Sequence, residues 1–478
     1  MTMEGLRDEA VAWACAHGLL MIDAKHPELC SHAPMAMAPS RLSRQAFELG
    51  VELSKPYNLL VDRLARSLDW VYAALERVLD KDEFTARLVK LCKEVEAEGV
   101  LQRIYLGINR SDYMLDHGKD LLQVELNTIA SSFGCLSARV TAMHRFLLER
   151  NPDNAFLADF LGQTSFEPGE RVPQNLADKA LPRALATAAK LQLEQAGASG
   201  SNVRPLVLFV VQDGERNSFD QRWLEYELWD AHGVATIRRS LTQLATRARL
   251  EGDERTLLVD DQRVALVYYR AGYTPNDYPG EEQWDARTLL ERSSAIKCPS
   301  VQYHLVGTKK VQQELARPGQ LEKFVSAEDA ERLRRSFAGL WSLDRGAQDA
   351  GARAAVEDAI ANPGNYVVKP QREGGGNNIY GENVRKALQT MSKEELAAHI
   401  LMQRIFPKEV DACLVRRNEV VRVKALQELG VFGTFIGGED GKVYLNEHAG
   451  HLLRTKQTDV DEGGVATGFS CLDSPYLV

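Results

Sequence analysis

The chain has few of the features that mark the specialised classes of protein. Its 478 residues include seven cysteines without a C-x-x-C pair, which is typical of reduced thiols and not of a disulfide framework or zinc site. No apolar run approaches the ~18 residues of a membrane-spanning helix. A net charge of −9 argues against a nucleic-acid surface. Since acidic residues precede the first apolar run, where a signal peptide is basic, we expect a cytoplasmic protein.

The common catalytic motifs are absent as well. There is no G-x-x-x-x-G-K-[ST] loop, no G-x-S-x-G elbow, no H-E-x-x-H and no kinase H-R-D set, so the usual NTPases, hydrolases, zinc proteases and protein kinases are excluded. What remains is an ordinary globular composition, 44% hydrophobic and 26% charged, with the length of roughly three domains.

Periodicity predicts a helical first hundred residues, with helices over 11–22, 41–80 and 84–98 and a strand at 121–127. Residues 109–113 have the composition of a loop or helix start. After a Gly/Ser-rich linker the period changes, and strands alternate with helices, which predicts a parallel sheet. Further strands are predicted at 419–426 and 435–445. The predicted domains are 1–203, an inserted α/β domain at 204–303, and 304–478.

The most informative segment is 369–381 (KPQREGGGNNIYG), which follows a short β-branched run. Glycines let a backbone approach an anion closely. The cations Lys369 and Arg372 neutralise phosphate charge, and the carboxylate of Glu373 can hold the accompanying divalent ion. The segment therefore predicts a nucleotide-triphosphate clamp, although glycines alone would also suit a surface turn.

Three other clusters fit the same chemistry. Alternation places Glu125 and Asn127 on one face of a strand, where both can reach one Mg²⁺; a polar strand edge is the alternative. Loops at 215–221 and 270–273 follow predicted parallel strands, where ligands bind in open sheets, or they are helix caps. Near the C-terminus, Arg454 and Lys456 precede a second glycine-rich loop at 462–468. The chain is thus expected to bind nucleotide and carboxylates.

These motifs resemble those of the eukaryotic-type glutathione synthetase family, which are ATP-grasp ligases. The resemblance rests on the glycine-rich segment, on LGINRSDYM at 106–114, on GTKKVQQEL at 307–315, on 450–456 and on DSPY at 473–476. It implies a mixed α/β ATP-grasp fold with an inserted parallel α/β substrate-binding domain and a glycine-rich lid. It also implies a homodimer.

The resemblance also implies the site residues. The catalytic residues would be Arg110, Lys309, Lys369 and Arg454, and the Mg²⁺ ligands Glu125, Asn127 and Glu373. The ATP contacts would be Glu125, Lys309, Lys369, Pro370, Gln371, Arg372, Glu373, Gly374, Gly375, Gly376, Asn377, Asn378, Tyr380, Met402, Gln403, Arg404, Ile405, Glu428, Lys456 and Glu462. The substrate contacts would be Arg110, Ile129, Ala130, Ser131, Ser132, Glu215, Arg216, Asn217, Gln221, Arg270, Ala271, Gly272, Tyr273, Arg454, Val465 and Ala466.

The implied reaction joins γ-glutamylcysteine to glycine, with ATP as co-substrate and Mg²⁺ as cofactor, through an acyl phosphate. The chain departs from the family pattern at Gln403-Arg404, at Glu462 and at Ala130-Ser131. Val465-Ala466 resembles the glycine-using form. Two alternatives stay open: a homoglutathione-type ligase that uses β-alanine or another small amino acid, and a non-catalytic nucleotide-binding protein on the same fold.

Overall fold

The structure, a computed structural model, describes residues 2–162, 168–195, 197, 204–344, 349–371, 378–459, 463–466 and 468–478. Most of the predicted linker and both glycine-rich loops fall partly or wholly outside these ranges. Seven predicted site residues lie outside the described residues: Arg372, Glu373, Gly374, Gly375, Gly376, Asn377 and Glu462. No helix within the described ranges is long and apolar enough to cross a membrane.

The helices surround the sheets on several sides. They are α1 (Met3–Ala16), α2 (Arg44–Ala65), α3 (Leu68–Leu75), α4 (Glu83–Glu98), α5 (Gly134–Arg150), α6 (Ala155–Leu161), α7 (Pro168–Arg171), α8 (Ala177–Gln195), α9 (Ser218–His232), α10 (Leu241–Arg247), α11 (Glu281–Arg292), α12 (Val301–Val306), α13 (Lys309–Leu315), α14 (Ala327–Arg335), α15 (Ala350–Ala361), α16 (Glu382–Thr390) and α17 (Lys393–Ala397).

The strands form several separate sheets. They are β1 (Leu20–Ile22), β2 (Cys30–His32), β3 (Met35–Ala36), β4 (Ser40–Leu42), β5 (Ile104–Asp116), β6 (Asp120–Asn127), β7 (Leu206–Val210), β8 (Ala235–Arg239), β9 (Ala248–Glu251), β10 (Thr256–Val259), β11 (Gln262–Arg263), β12 (Leu266–Tyr269), β13 (Ile296–Cys298), β14 (Leu340–Ser342), β15 (Tyr366–Pro370), β16 (Ile379–Tyr380), β17 (His399–Gln403), β18 (Val410–Arg416), β19 (Glu419–Gly438), β20 (Val443–Gln457), β21 (Ser470–Asp473) and β22 (Pro475–Leu477).

The largest sheet has seven strands in the order β18-β3-β21-β20-β19-β5-β6. Its centre is the long antiparallel hairpin of β19 and β20, against which β5 pairs. Helices α2 and α8 pack on this hairpin, and two large apolar clusters fill the space between helices and sheet. The sheet thereby provides a rigid floor for side chains from β5, β6, β19 and β20.

Two predictions about this sheet are wrong. Residues 109–113 are not a loop or helix start but the middle of β5, where Arg110 pairs with Phe432 and Asn127. The strand predicted at 435–445 spans the β19–β20 turn, where Gly438 donates to the Lys442 carbonyl. Polar residues such as Asn109 and Asp112 suggested a turn because sequence alone does not show the buried partners that satisfy them.

The N-terminal prediction is also shifted. The helix predicted over 11–22 is α1, which ends at Ala16, and β1 follows it. The break comes at Gly18, whose φ of +69° is accessible to glycine without strain. The predicted helix over 84–98 and the strand over 121–127 agree with α4 and β6.

A second sheet follows the predicted linker. Its order is β13-β12-β7-β8, and all three pairings are parallel, as the alternation of strands and helices predicted. Helix α9 connects β7 to β8, and α11 precedes β13. The prediction of a mixed α/β fold is confirmed, while the exact limits of the three domains stay a prediction.

The third sheet is small and antiparallel, in the order β14-β17-β15-β16. Its apolar side chains pack with residues of α15 and α16 in a separate cluster that includes Val368, Val384 and Leu401. This sheet carries the segment that leads into the first glycine-rich loop, and it faces the floor formed by β5 and β6.

Candidate active site

A cavity of about 330 Å³ separates the small antiparallel sheet from the central sheet. Most of the predicted site residues within the described ranges line it: Arg110, Glu125, Asn127, Ile129, Ala130, Ser131, Ser132, Tyr273, Lys309, Lys369, Asn378, Tyr380, Met402, Gln403, Arg404, Ile405, Glu428, Arg454, Lys456, Val465 and Ala466. Residues far apart in the sequence thus converge on one cavity.

One end of the cavity is apolar. Met114, Val124, Val367, Met402 and Leu426 all line it, which gives the flat hydrophobic surface that a purine ring requires. The neighbouring N–H groups of residues 403 and 404 donate to backbone carbonyls at 2.8 Å each. The side-chain oxygen of residue 403 accepts from a backbone N–H at 3.0 Å. Residues 402–405, which the family resemblance implies as ATP contacts, are therefore held in place mainly by their own backbone hydrogen bonds.

Next to this end lie two lysines and one carboxylate. Lys309 Nζ is 2.8 Å from Glu125 Oε2, and Lys369 Nζ donates to the Val124 carbonyl at 3.2 Å. Desolvation opposes the charge of Glu125, but Lys309 and Lys369 outweigh it, so the pKa of this carboxyl is lowered. The carboxylate is thus ionised and can bind a cation at any physiological pH.

A β-bulge in β6 sets the orientation of Val124 and Glu125 towards the cavity. Asp112 pairs with Glu125 while Tyr113 pairs with Gln123, so Val124 is the extra residue of β6. A bulge breaks strict alternation and redirects the chain locally. Consecutive residues Val124 and Glu125 therefore both line the cavity, which simple alternation would forbid.

Asp112 holds the polar groups of the floor together, and the sequence analysis did not identify it as a site residue. Its carboxylate accepts from Arg110 Nε and Nη2 at 2.6 and 2.8 Å and from Arg454 Nη2 at 2.9 Å. It also accepts from Asn127 Nδ2 at 3.0 Å. Its place two residues after Arg110 would have been a signal if the segment had been predicted as a strand, because the two side chains then share a face.

The floor has room for this pairing because Gly430 lies opposite Asp112. A Cβ there would come within 2.8 Å of Asp112 Oδ1 and 2.9 Å of Arg110 Cδ, so a larger residue would displace the ion pair.

Glu428 makes a second, very short ion pair with Arg454. Desolvation, together with Asp112 and Glu125, raises the pKa of Glu428 against the opposing effect of Arg454. Burial alone would lower the pKa of Arg454, but Glu428 and Asp112 raise it, so this guanidinium stays charged.

The residues present fit a magnesium ion in part. Asn127 donates through Nδ2 to Asp112, so its Oδ1 points away from that carboxylate, and Glu125 lies two residues before it on β6. Mg²⁺ commonly takes one or two protein carboxylates and completes its shell with water and phosphate. Within the described ranges no three His, Cys, Asp or Glu residues form a metal-binding group, and the predicted third ligand, Glu373, is outside them.

The opposite end of the cavity is built from two loops. Residues 129–132 follow β6 and include Ala130 at a φ of +50°; the Ser132 carbonyl accepts from Arg110 Nη1 at 3.2 Å. Val465 and Ala466 form the facing wall, and Val465 is buried.

Nine predicted contacts within the described ranges do not line the cavity: Glu215, Arg216, Asn217, Gln221, Arg270, Ala271, Gly272, Pro370 and Gln371. Some of them support its wall. Arg216 donates to the Ala466 carbonyl at 2.9 Å, and Arg270 donates to the Ser131 carbonyl at 3.1 Å. Glu215 accepts from the Asn217 N–H and from Gln221 Nε2.

Asp220 lies within the segment 215–221 that the sequence analysis identified, but it was not among the predicted site residues. Its carboxylate accepts from the N–H groups of Phe133, Cys135 and Leu136 at 2.8, 2.9 and 3.1 Å. It also lies 3.5 Å from Arg270. The residue joins the start of α5 to the first turn of α9, a long-range contact that local sequence does not reveal.

Comparison with known proteins agrees with this geometry. A family model described as "Eukaryotic glutathione synthase, ATP binding domain" matches residues 1–477. Glutathione synthetase from Dictyostelium discoideum is 41% identical and covers 99% of this chain and 99% of that protein. The chain belongs to the eukaryotic glutathione synthase family. Human glutathione synthetase is 41% identical, with 100% of this chain and 97% of that protein covered.

The fold agrees as well. A solved apo structure of a glutathione synthetase-like effector from Globodera pallida, GSS30, matches with a TM-score of 0.76 and 23% identity, over 99% of this chain and 96% of that chain. The predicted ATP-grasp architecture is thereby confirmed. Membership of the glutathione synthase family makes the chain an ATP-dependent ligase, and the cavity between the two sheets is its candidate active site.

Proposed function

We propose that this ligase joins γ-L-glutamyl-L-cysteine to glycine and releases glutathione, ADP and phosphate, with Mg²⁺ held by Glu125, Asn127 and Glu373. The observation that carries the proposal is the arrangement along the cavity. An apolar end next to Lys309, Lys369 and Glu125 suits a magnesium nucleotide, and Arg110 and Arg454 lie farther along the floor where a carboxylate would bind. Magnesium, when bound, would neutralise phosphate charge.

The chemistry follows from the groups present. A carboxylate is a poor acyl donor, so the γ-phosphoryl group first passes from ATP to an oxygen of the cysteinyl carboxylate, and ADP leaves. The amine of glycine then attacks the acyl carbon and loses a proton, and the bond to the phosphate oxygen breaks. Phosphoryl transfer is catalysed mainly by positioning and charge stabilisation, which Lys309, Lys369 and Lys456 would provide without a covalent nucleophile.

The guanidinium groups would bind carboxylates. Arg454 is partly engaged by Asp112 and Glu428, and Arg110 by Asp112, so both are held in fixed orientations. Preorganised donors stabilise a charge that develops during reaction without reorganising at that moment. We assign Arg110 and Arg454 to the reacting and acceptor carboxylates.

The acceptor specificity is a separate proposal. Val465 and Ala466 border the end of the cavity away from the apolar slot, and the Val-Ala pair suits the small amine of glycine. One additional methylene changes binding by only roughly 1–3 kcal/mol in an apolar pocket, so β-alanine is expected to react slowly and not to be fully excluded.

The decisive experiment measures phosphate release from purified protein with ATP, Mg²⁺, γ-glutamylcysteine and glycine, and then omits each in turn. One phosphate per glutathione is expected only in the complete mixture. Parallel reactions with β-alanine and other small amino acids rank the acceptors. No release with any acceptor would overturn the proposal in favour of a non-catalytic nucleotide-binding protein, and faster release with β-alanine would favour the homoglutathione-type ligase.

We further propose a cytoplasmic homodimer whose chain divides at 203/204 and 303/304. All seven cysteines are free, which suits a reducing compartment. The dimer rests on the family resemblance, and the division rests on the linker and on the change of sequence period after it. Light scattering during size-exclusion chromatography tests the dimer. Fractionation of cells tests the compartment, which needs a test because a relative from Solanum lycopersicum is named as chloroplastic.

A further inference from the structure

Two adjacent lysines at the start of α13 point in opposite directions. Lys309 reaches into the cavity and contacts Glu125, whereas Lys310 is 1% exposed and points into the protein. The Lys310 ammonium donates to Gln313 Oε1 and Ser342 Oγ at 2.9 Å each and lies 2.9 Å from Asp344 Oδ2. Its three hydrogens are thus matched by three acceptors.

The same residue makes a second long-range contact through its backbone. The Lys310 N–H is one of the donors that the first turn of a helix leaves unsatisfied, and Thr308, at the helix start, provides no side-chain cap. The donor is satisfied instead by Gln371 Oε1 at 2.8 Å. Gln371 is 5% exposed and lies outside the cavity lining, two residues after Lys369.

Helix α13 is also fixed to the strand that carries Glu125. Gln312 Oε1 accepts from the Leu126 N–H at 3.2 Å, and its Nε2 donates to the Leu126 carbonyl at 3.3 Å. One short helix is therefore bound on one side to β6, and on the other to β14 and the end of β15. Glu125 is on β6, Lys309 is on α13 itself and Lys369 is on β15.

We propose that Lys310 and Gln371 are positioning residues for nucleotide binding. Lys310 fixes α13 to the end of β14 through Asp344, and Gln371 fixes the start of α13 to the end of β15. Together they set the distance between the Lys309 and Lys369 ammonium groups, which must match the spacing of phosphate oxygens. The inference rests on the proposed roles of these two lysines in binding ATP.

The test compares Lys310→Met and Gln371→Met with the parent in equilibrium binding of Mg-ATP and in steady-state kinetics. Each variant is expected to weaken ATP binding and to raise KM for ATP about 10-fold or more, while KM for γ-glutamylcysteine changes less than about 2-fold. A purely structural role would lower the amount of folded protein without separating the two KM values. All measurements are made below the melting temperature of each variant.

Lys297→Met is the matched control. Lys297 is also a buried lysine, 2% exposed, which donates to the Ser293 carbonyl at 2.8 Å, but it is on β13 and lines no part of the cavity. This variant is expected to lose stability and to bind ATP like the parent. The double variant Lys310→Met/Asp344→Leu also removes the buried carboxylate of Asp344, while Glu314, which lies 3.6 Å from the Lys310 ammonium, keeps its ion pair with Arg317. The double variant should recover stability but not ATP affinity.

Lys309→Met distinguishes the positioning role of Lys310 and Gln371 from the proposed role of Lys309 itself in ATP binding. Weak ATP binding by Lys309→Met together with parental binding by folded Lys310→Met and Gln371→Met would overturn the positioning role alone. Parental ATP binding by Lys309→Met would overturn the proposed role of Lys309 itself, and the positioning inference with it.

Discussion

Asp112 shows how much a single residue decides in this site. It faces Glu125 directly across two paired strands, an arrangement of like charges that is unfavourable by itself. Arg110 and Arg454 compensate Asp112, and Lys309 compensates Glu125. The floor is therefore an alternating network of charges in which each member depends on its neighbours.

Because of this network, we expect Asn127→Asp to weaken Mg²⁺ binding, although it adds a carboxylate. A second carboxylate would ordinarily strengthen a Mg²⁺ site. Here Asn127 Nδ2 lies 3.0 Å from Asp112 Oδ2, so the substitution replaces a hydrogen bond with repulsion between carboxylates. We expect kcat to fall at least 10-fold and half-maximal activity to require more Mg²⁺, as measured by magnesium titration.

Glu125→Gln is the comparison for that variant, because it removes a proposed Mg²⁺ ligand without adding negative charge. It too should require more Mg²⁺. Tighter Mg²⁺ binding with undiminished kcat in Asn127→Asp would show that the contact between residues 112 and 127 does not constrain the metal site.

At the scale of elements, the sequence predicted those whose pattern is local. The parallel strands β7 and β12 are continuous apolar runs, and α4 has clear helical periodicity, so the parallel sheet and the limits of this helix were predicted. The middle of β5 was not predicted, because Asn109, Arg110, Ser111 and Asp112 are buried polar residues whose partners come from other elements. The residues most important for the site were thus the least typical of their strand.

The end of β21 contains a buried carboxylic acid whose ionisation is linked to stability. Burial raises the pKa of Asp473 to about 6, although Ser40, Thr455 and the Ser474 N–H donate to it. Because the folded state binds this proton more tightly than the unfolded chain, whose reference pKa is 3.8, the contribution of Asp473 to stability is complete below about pH 4 and is lost as the pH rises to about 6.

Asp473→Asn removes this dependence. The free energy of unfolding of the variant minus that of the parent should increase by about 1.4 kcal/mol per pH unit between pH 4 and 6. Above pH 6 this difference should be ~3 kcal/mol larger than at pH 4. Urea unfolding of the variant and the parent at pH 4, 5, 6 and 7 measures this difference in the free energy of unfolding. A difference that does not change with pH would contradict the raised pKa.

At the scale of the whole molecule, the candidate active site lies between two sheets that the sequence could not place relative to each other. The sequence analysis predicted ligand binding by the glycine-rich segment, by Glu125 and Asn127, and by the C-terminal cations. The family resemblance then put them in one site. The physical link was not visible in the sequence, because it includes side-chain bonds from α13 to β6 and to the ends of β14 and β15. Hydrogen bonds between residues 116–117 and Phe406 add to it.

A ligand that fills the cavity should therefore stabilise both sheets together. Binding at ~100 times the dissociation constant adds about 2.7 kcal/mol to the folded state, so amides that exchange through opening of the cavity should exchange up to ~100-fold more slowly. We expect Mg-ATP to protect β6, β15 and β17 in hydrogen-exchange mass spectrometry. The sheet of β9, β10 and β11, which contributes no residue to the cavity lining, is the internal reference. Protection of β6 without β15 and β17 would mean that the nucleotide contacts only the central sheet, and the small sheet would then have no role in binding it.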